Sequence, residues 1–128
     1  MNLLISIHKE HVDKILAGEK RWEYRKSIFR KPKNEINKVY IYCTSPVEKI
    51  IANFEIGRII EDKSLEIWNK TDDESGTTKQ KLLKYFEEYE KGYAIEIKNL
   101  NQFKDPIDPY EKLKDFQAPQ SYLYMNSF

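Results

Sequence analysis

The residues best suited to chemistry are concentrated in one short stretch, GEKRWEYR at positions 18–25. Glu23 and Arg25 are two residues apart, so in a β-strand their side chains lie on one face, about 7 Å apart, and can contact one ligand. Lys20 follows a glycine, where the alternation of side chains is least reliable, and it can reach the same place. The alternative is a solvated charged face, because charges on an exposed strand face are common.

Cations are enriched in the same part of the sequence, although the net charge of the chain is only +1. Residues 8–33 contain nine Lys or Arg against four Asp or Glu, whereas residues 34–128 contain thirteen against seventeen. This asymmetry is compatible with one basic face that binds a phosphate-bearing partner such as a nucleic acid. If the cations are scattered instead, a protein-interaction domain is the better interpretation.

The composition argues against several other kinds of site. A single cysteine, Cys43, cannot form an internal disulfide, and with only His8 and His11 beside it a zinc site of Cys and His ligands has too few members. Glycine-rich phosphate loops are absent, since the four glycines are not clustered. We therefore expect no metal and no cofactor, with Cys43 buried and both histidines on the surface.

Length and hydrophobicity predict a soluble globular protein. The 128 residues are 40% hydrophobic and 34% charged, which suits one domain over residues 1–128. The apolar run near the N-terminus is too short for a signal peptide or a membrane span. A lone cysteine fits a reducing compartment, so we expect a cytoplasmic protein that does not enter a membrane. The oligomeric state is not predicted.

The elements that position the charged stretch can be predicted from apolar spacing. The predicted strands cover residues 3–7, 20–26, 39–44, 49–60, 93–97 and about 120–125, and the predicted helices cover residues 8–17, 64–71 and 78–90. Consecutive strands joined by short loops predict the α+β class. We expect a small, curled, mainly antiparallel β-barrel with flanking helices.

Aromatic residues on two of these strands have a predicted side. Trp22 and Tyr24 lie on the face opposite Glu23, where large aromatic side chains are expected in the core. Tyr42 shares a face with Thr44 on the next strand. Its ring can stack on a planar ligand if that face lines a pocket, and it belongs to the core otherwise.

Four segments, LAGEKRWEYR, IYCTSPVEKIIANFEI, GYAIEI and APQSYLYM, together resemble an ASCH domain of the PUA-like superfamily over essentially the whole chain. The most specific element is the pattern G-x-K-x-x-E-x-R at 18–25. The tripeptides TSP at 44–46 and PQS at 119–121 follow in the expected order. The resemblance implies a small β-barrel flanked by helices, with a cleft for RNA or a nucleobase between these segments.

The resemblance also implies which residues bind the ligand. Lys20 and Arg25 would hold a phosphate or polarise a carbonyl, and Glu23 would accept hydrogen bonds from an exocyclic amine. The implied set of ligand- or RNA-binding residues is Lys20, Glu23, Arg25, Lys26, Tyr42, Thr44, Ser45, Gln120, Ser121 and Tyr122. The implied partner is RNA, a nucleoside or a nucleotide.

Two kinds of function remain open. One is an RNA- or nucleotide-binding module, similar to members proposed as RNA-binding regulators. The other is an enzyme, either a ribonuclease or an amidohydrolase of the acetylcytidine type, with Lys20, Glu23 and Glu74 as catalytic residues. The amidohydrolase branch has a threonine nucleophile where this chain has Glu23, so Glu23 would have to activate water instead. Glu74 lies in the acidic loop DDESG, which reaches such a site only if it folds back.

Overall fold

The structure, a computed structural model, describes residues 1–126, which form six strands and four α-helices. The strands are β1 (Asn2–Ile7), β2 (Trp22–Arg25), β3 (Val39–Cys43), β4 (Lys49–Asp62), β5 (Gly92–Ile107) and β6 (Tyr122–Met125). The helices are α1 (Lys9–Leu16), α2 (Ser64–Thr71), α3 (Lys79–Tyr85) and α4 (Pro109–Lys112). None of these helices is long and apolar enough to cross a membrane.

The strands form one curled sheet in the order β2-β5-β4-β3-β1-β6. Neighbouring strands are antiparallel except β1 and β3, which are parallel. The two longest strands, β4 and β5, have 14 and 16 residues, and shifts in their register allow them to bend. The sheet is a curled half-barrel with β2 and β6 at its edges, so the predicted α+β class with a mainly antiparallel sheet is confirmed.

The main hydrophobic core lies between the sheet and α1. It contains Leu3, Ile5 and Ile7 of β1 together with Val12 and Ile15 of α1. Alternation along β1 places its three residues on one side, and the spacing of three places the two α1 residues on one helix face. This packing fixes the end of α1, and therefore the start of the charged stretch, against the sheet.

A second core cluster joins β2 to α2 and α3. Trp22 and Tyr24 are 1% and 7% exposed and pack with Ile67, Leu82 and Phe86. Full burial of one large apolar side chain stabilises a fold by about 1.5–3 kcal/mol. The prediction that both β2 aromatic residues face the core is confirmed, and their burial determines which way Glu23 and Arg25 point.

Some element boundaries differ from the prediction because contacts distant in sequence determine them. β5 continues to Ile107 rather than ending at residue 97, since the backbone of its exposed half pairs with β4. α3 ends at Tyr85 rather than at residue 90, because Phe86 packs against Gly92. A Cβ atom at Gly92 would lie 2.3 Å from the Phe86 ring, so this close approach requires glycine.

Candidate functional site

A cavity of about 720 Å³ opens between α1, β2, α3 and the segment that precedes β6. We call it the main cavity. Its walls include Ser6 at the end of β1, His11 of α1, Tyr85 of α3 and the residues at 119–121. Its volume lies within the range of about 300–1,000 Å³ that is usual for small-molecule sites. The cavity therefore has room for a ligand of nucleotide size.

Three charged side chains, Lys20, Glu23 and Arg25, meet in the main cavity. One carboxylate oxygen of Glu23, Oε1, lies 3.8 Å from Lys20 Nζ, and the other, Oε2, lies 3.2 Å from Arg25 Nη1. Glu23 and Lys20 are only 5% and 3% exposed. The solvated-face interpretation of this stretch is therefore wrong, and the expected convergence of Glu23 with Arg25 is observed.

Lys20 is positioned by a turn more than fifty residues further along the chain. Its backbone forms an isolated antiparallel bridge with Ser75, and Gly76 lies directly against its side chain. Its Nζ lies 4.4 Å from the centre of the Tyr24 ring, which supplies a favourable cation–π contact. Burial lowers the pKa of Lys20 below its ordinary value of 10.5, and the negative charge of Glu23 opposes this effect.

Arg25 connects three parts of the chain at the open seam of the half-barrel. Its Nη1 donates to the carbonyl oxygen of Ser6 at 3.1 Å and to Glu23 Oε2 at 3.2 Å. Its Nη2 donates to the carbonyl and hydroxyl oxygens of Ser121, at 3.2 and 3.1 Å. The guanidinium also lies 5.0 Å from the centre of the Tyr122 ring. Arg25 therefore holds the segment before β6 against β2 and closes one side of the cavity.

Four more of the expected ligand-binding residues line the main cavity: Lys26, Thr44, Gln120 and Ser121. The Thr44 hydroxyl forms a hydrogen bond of 3.1 Å with His8 Nδ1, which ties the end of β3 to the start of α1. The TSP segment therefore reaches the same cavity as the charged strand through Thr44, and the PQS segment reaches it through all three of its residues.

Three expected residues do not line the cavity. Tyr42 is 2% exposed and packs against Tyr110 and Phe116. Of the two alternatives for this residue, stacking on a ligand is therefore wrong and a position in the core is confirmed. Ser45 is exposed in the turn after β3 and is not part of the cavity lining. Tyr122 packs against the Arg25 guanidinium and its hydroxyl donates to the carbonyl oxygen of Ser27. It therefore supports a residue that lines the cavity and is not itself part of the lining.

Glu74 lies outside the cavity, although the acidic loop does fold back onto the charged stretch. Its backbone carbonyl accepts a hydrogen bond from Arg21 N at 2.9 Å, and its Oε2 lies 3.2 Å from Arg21 Nε. The lining of the main cavity includes Lys20 and Glu23 but not Glu74. The expected catalytic grouping of Lys20, Glu23 and Glu74 is not formed.

His11 was expected on the surface, and its side chain is 39% exposed, but it also lines the main cavity. Its Nδ1 atom is buried and makes no hydrogen bond within residues 1–126. Burial lowers the pKa of His11 below its ordinary value of 6.5, and the positive charge of Lys20 lowers it further, so the imidazole is neutral near pH 7. The sequence contains one signal for the position of His11. Helix α1 leads directly into Lys20, so residues of this helix pack beside Lys20.

Metal ligands are not clustered in the described part of the chain. No group of three or more His, Cys, Asp or Glu side chains there is arranged to hold a metal ion. The main cavity is lined by ammonium, guanidinium, carboxylate, imidazole and hydroxyl groups.

The fold and the cavity define a small α+β protein with a curled six-stranded sheet and a charged site at its seam. Residues 5–106 match the ASCH domain, and the chain belongs to this family, as the sequence resemblance indicated. The crystal structure of ASCH from Zymomonas mobilis is similar, with a TM-score of 0.86 and 26% identity, covering 97% of this chain and 87% of that one. A crystallised variant of that protein has the same TM-score and 25% identity, with 97% and 89% covered.

Curated relatives fall into two groups. The ASCH domain-containing ribonuclease of Zymomonas mobilis is 28% identical over 129 residues, which cover 95% of this chain and 82% of that protein. Two Ureaplasma parvum proteins are similar over a small part of their length. ATP synthase subunit alpha is 26% identical over 96% of this chain and 15% of its own length, and ribosomal protein uL22 is 27% identical over 73% and 30%.

Proposed function

We propose that this protein binds RNA and holds one nucleotide in the main cavity. The observation that carries the proposal is the buried arrangement of Lys20, Glu23 and Arg25 in a cavity of about 720 Å³. Burial of a charged group is costly unless it is well paired, and such groups in a cavity are typical of functional sites. Within residues 1–126 the Lys20 ammonium makes no hydrogen bond, and its distance to Glu23 is 3.8 Å. It retains donors for a ligand.

The charges around the cavity favour a phosphate-bearing ligand. The lining contains four cationic side chains and two carboxylates: Lys20, Arg25, Lys26 and Lys81 against Glu10 and Glu23. An excess of positive charge in a concave site attracts the RNA backbone. In this proposal Lys20 donates to a phosphate or base carbonyl oxygen, and Glu23 orients both cations and accepts from a base N–H group. A ribonuclease among the relatives that match nearly the whole chain supports RNA as the ligand class.

Fluorescence anisotropy of a labelled hexaribonucleotide tests this proposal. Lys20→Met should weaken binding at least tenfold, whereas Lys104→Met should bind as the wild type does. Lys104 is the matched control because it is exposed on β5 outside the main cavity. Equal affinity of wild type and Lys20→Met, with both proteins folded by circular dichroism, would remove the case for this site.

RNA cleavage is a second candidate, favoured by the position of His11 beside Lys20 in the same cavity. A neutral imidazole can accept the proton of a ribose 2′-hydroxyl while that oxygen attacks the adjacent phosphorus. The new bond joins the 2′-oxygen to phosphorus, and the bond from phosphorus to the 5′-oxygen breaks. The leaving oxygen takes a proton from the Lys20 ammonium, and the products are a 2′,3′-cyclic phosphate and a 5′-hydroxyl.

Chromatography of the RNA products decides this second candidate. Wild type should release a cyclic phosphate from RNA and none from the same strand with 2′-deoxyribose, and His11→Asn should bind RNA without cleaving it. Intact RNA after incubation with a folded, RNA-binding protein would exclude cleavage. Amidohydrolysis is not supported, because Glu23 replaces the hydroxyl nucleophile and Glu74 lies outside the cavity.

A further inference from the structure

A cation and two exposed aromatic rings lie together at the mouth of the main cavity. Lys26 Nζ lies 4.6 Å from the centre of the Tyr85 ring and 5.3 Å from that of Tyr89. Tyr85 and Tyr89, four residues apart, are 40% and 47% exposed. Within residues 1–126, Lys26 forms no ion pair with a carboxylate.

The cluster is continuous with the main cavity. Lys26 and Tyr85 both line the cavity, while Tyr89 lies on its outer side in contact with Lys26. The Tyr85 hydroxyl donates to the backbone carbonyl of Tyr24 at 3.3 Å, which fixes the end of α3 against β2. The three side chains therefore form one cluster that begins in the lining of the main cavity and continues beyond it.

The cation–π contacts in this cluster contribute less to stability than burial of the two tyrosine rings would. Stability alone therefore does not explain why the rings are exposed. A cation–π contact at an exposed site contributes about 0.5–1 kcal/mol. Full burial of a large aromatic side chain would contribute more, yet both tyrosine rings remain in contact with solvent. Exposed rings beside an unpaired cation are the features with which proteins bind single-stranded nucleic acid, since rings stack on bases and cations neutralise phosphates.

We infer that Lys26, Tyr85 and Tyr89 form a second subsite, which binds the phosphate and base of the nucleotide next to the one in the main cavity. The inference rests on the proposed RNA function and deepens it, since it makes the ligand a strand of at least two nucleotides rather than a free nucleoside. Lys26 neutralises the connecting phosphate, and a tyrosine ring stacks on the neighbouring base. The path of the strand then runs from Lys20 outward across the end of α3.

Calorimetric titration with nucleoside monophosphates and with trinucleotides of each of the four bases tests the inference. The wild type should bind its preferred trinucleotide at least tenfold more tightly than the corresponding monophosphate. Tyr89→Ala should weaken trinucleotide binding by about 5- to 100-fold, as expected from the loss of one stacked base. Its affinity for the monophosphate should stay within twofold of the wild type. Lys26→Met should also weaken trinucleotide binding, and Tyr89→Phe, which keeps the ring, should bind both ligands normally.

Two results would overturn the inference, and they are distinguishable. If Tyr89→Ala and Lys26→Met bind the trinucleotide as the wild type does, the second subsite is wrong and the main cavity remains an RNA site. If the wild type binds neither ligand, the proposed function fails and the second subsite fails with it. Tyr89 is half-exposed, so its replacement should leave the protein folded, which a thermal melt verifies.

Discussion

The Lys20 ammonium and the Glu23 carboxylate lie 3.8 Å apart, with side chains only 3% and 7% exposed. Two opposite charges are thereby withdrawn from water, next to a cavity. A buried ion pair contributes little to stability, because the loss of hydration offsets the attraction between its members. Their position beside an open cavity is therefore better explained by binding than by folding.

Replacement of Lys20 by methionine should leave the free energy of unfolding unchanged or higher. The apolar side chain avoids the loss of hydration, and Glu23 keeps Arg25 at 3.2 Å as its partner. Urea unfolding measures the difference. A loss of about 3 kcal/mol or more would show that the pair holds the fold together.

Replacement of Arg25 by lysine should destabilise the protein, because an ammonium cannot reproduce the four hydrogen bonds that the guanidinium makes. We expect a loss of roughly 2 kcal/mol, the usual contribution of hydrogen bonds to a charged group. Hydrogen exchange should become faster in β6, which Arg25 holds through Ser121.

Arg58→Lys is the matched control for Arg25→Lys. Arg58 pairs with Glu96, but its side chain is 67% exposed, so the pair contributes at most about 1 kcal/mol. An equal loss of stability in both variants would contradict a special role for Arg25.

Replacement of Gly76 by alanine should cost more stability than replacement of Gly18, although both glycines have a positive φ, +65° and +80°. A Cβ atom at Gly76 would lie 2.6 Å from Lys20 Cβ, whereas nothing lies within 4 Å of one at Gly18. Gly18→Ala should cost about 1 kcal/mol from backbone conformation alone. Gly76→Ala should add a steric cost and weaken RNA binding by displacing Lys20. Thermal unfolding measures the loss of stability, and fluorescence anisotropy measures RNA binding. Equal behaviour of the two variants would be evidence against the positioning of Lys20 by Gly76.

Stability should fall as the pH is lowered through about 6.5, the ordinary histidine pKa. The pKa of His11 in the folded protein lies below that value, so the unfolded chain takes up the proton first and is favoured as the pH falls. The dependence should level off once His11 is protonated in the folded state as well. Lys20 and Lys14 favour the neutral imidazole, and Glu23 and Glu10 oppose them.

Urea unfolding between pH 8 and pH 5 measures this dependence. His11→Asn should make the curve flatter than that of the wild type. Parallel curves for wild type and His11→Asn would show that His11 does not titrate differently in the folded protein.

The features that local patterns determine could be predicted from the sequence. Alternation in β2 predicted the burial of Trp22 and Tyr24. It also predicted the shared face of Glu23 and Arg25, because side chains alternate wherever a strand forms. The order of short motifs indicated the family. These properties depend on neighbours within a few residues.

The features that were not predicted depend on distant contacts. The direction of Lys20 depends on the turn at Ser75 and Gly76, and the burial of Tyr42 depends on Tyr110 and Phe116. The exposed half of β5 carries no apolar alternation, since backbone hydrogen bonds to β4 hold it rather than buried side chains. Sequence spacing alone contains no information about such pairings.

The central claim is that RNA enters the main cavity and contacts Lys20 and Arg25. Its most direct test is the ¹⁵N–¹H spectrum of the labelled protein during titration with a trinucleotide. The account predicts that the amide signals that shift most belong to residues 20–26, to Ser6 and Ser121, and to the end of α3. Shifts confined to the exposed half of β5 or to α4, or no shifts at millimolar ligand, would contradict it.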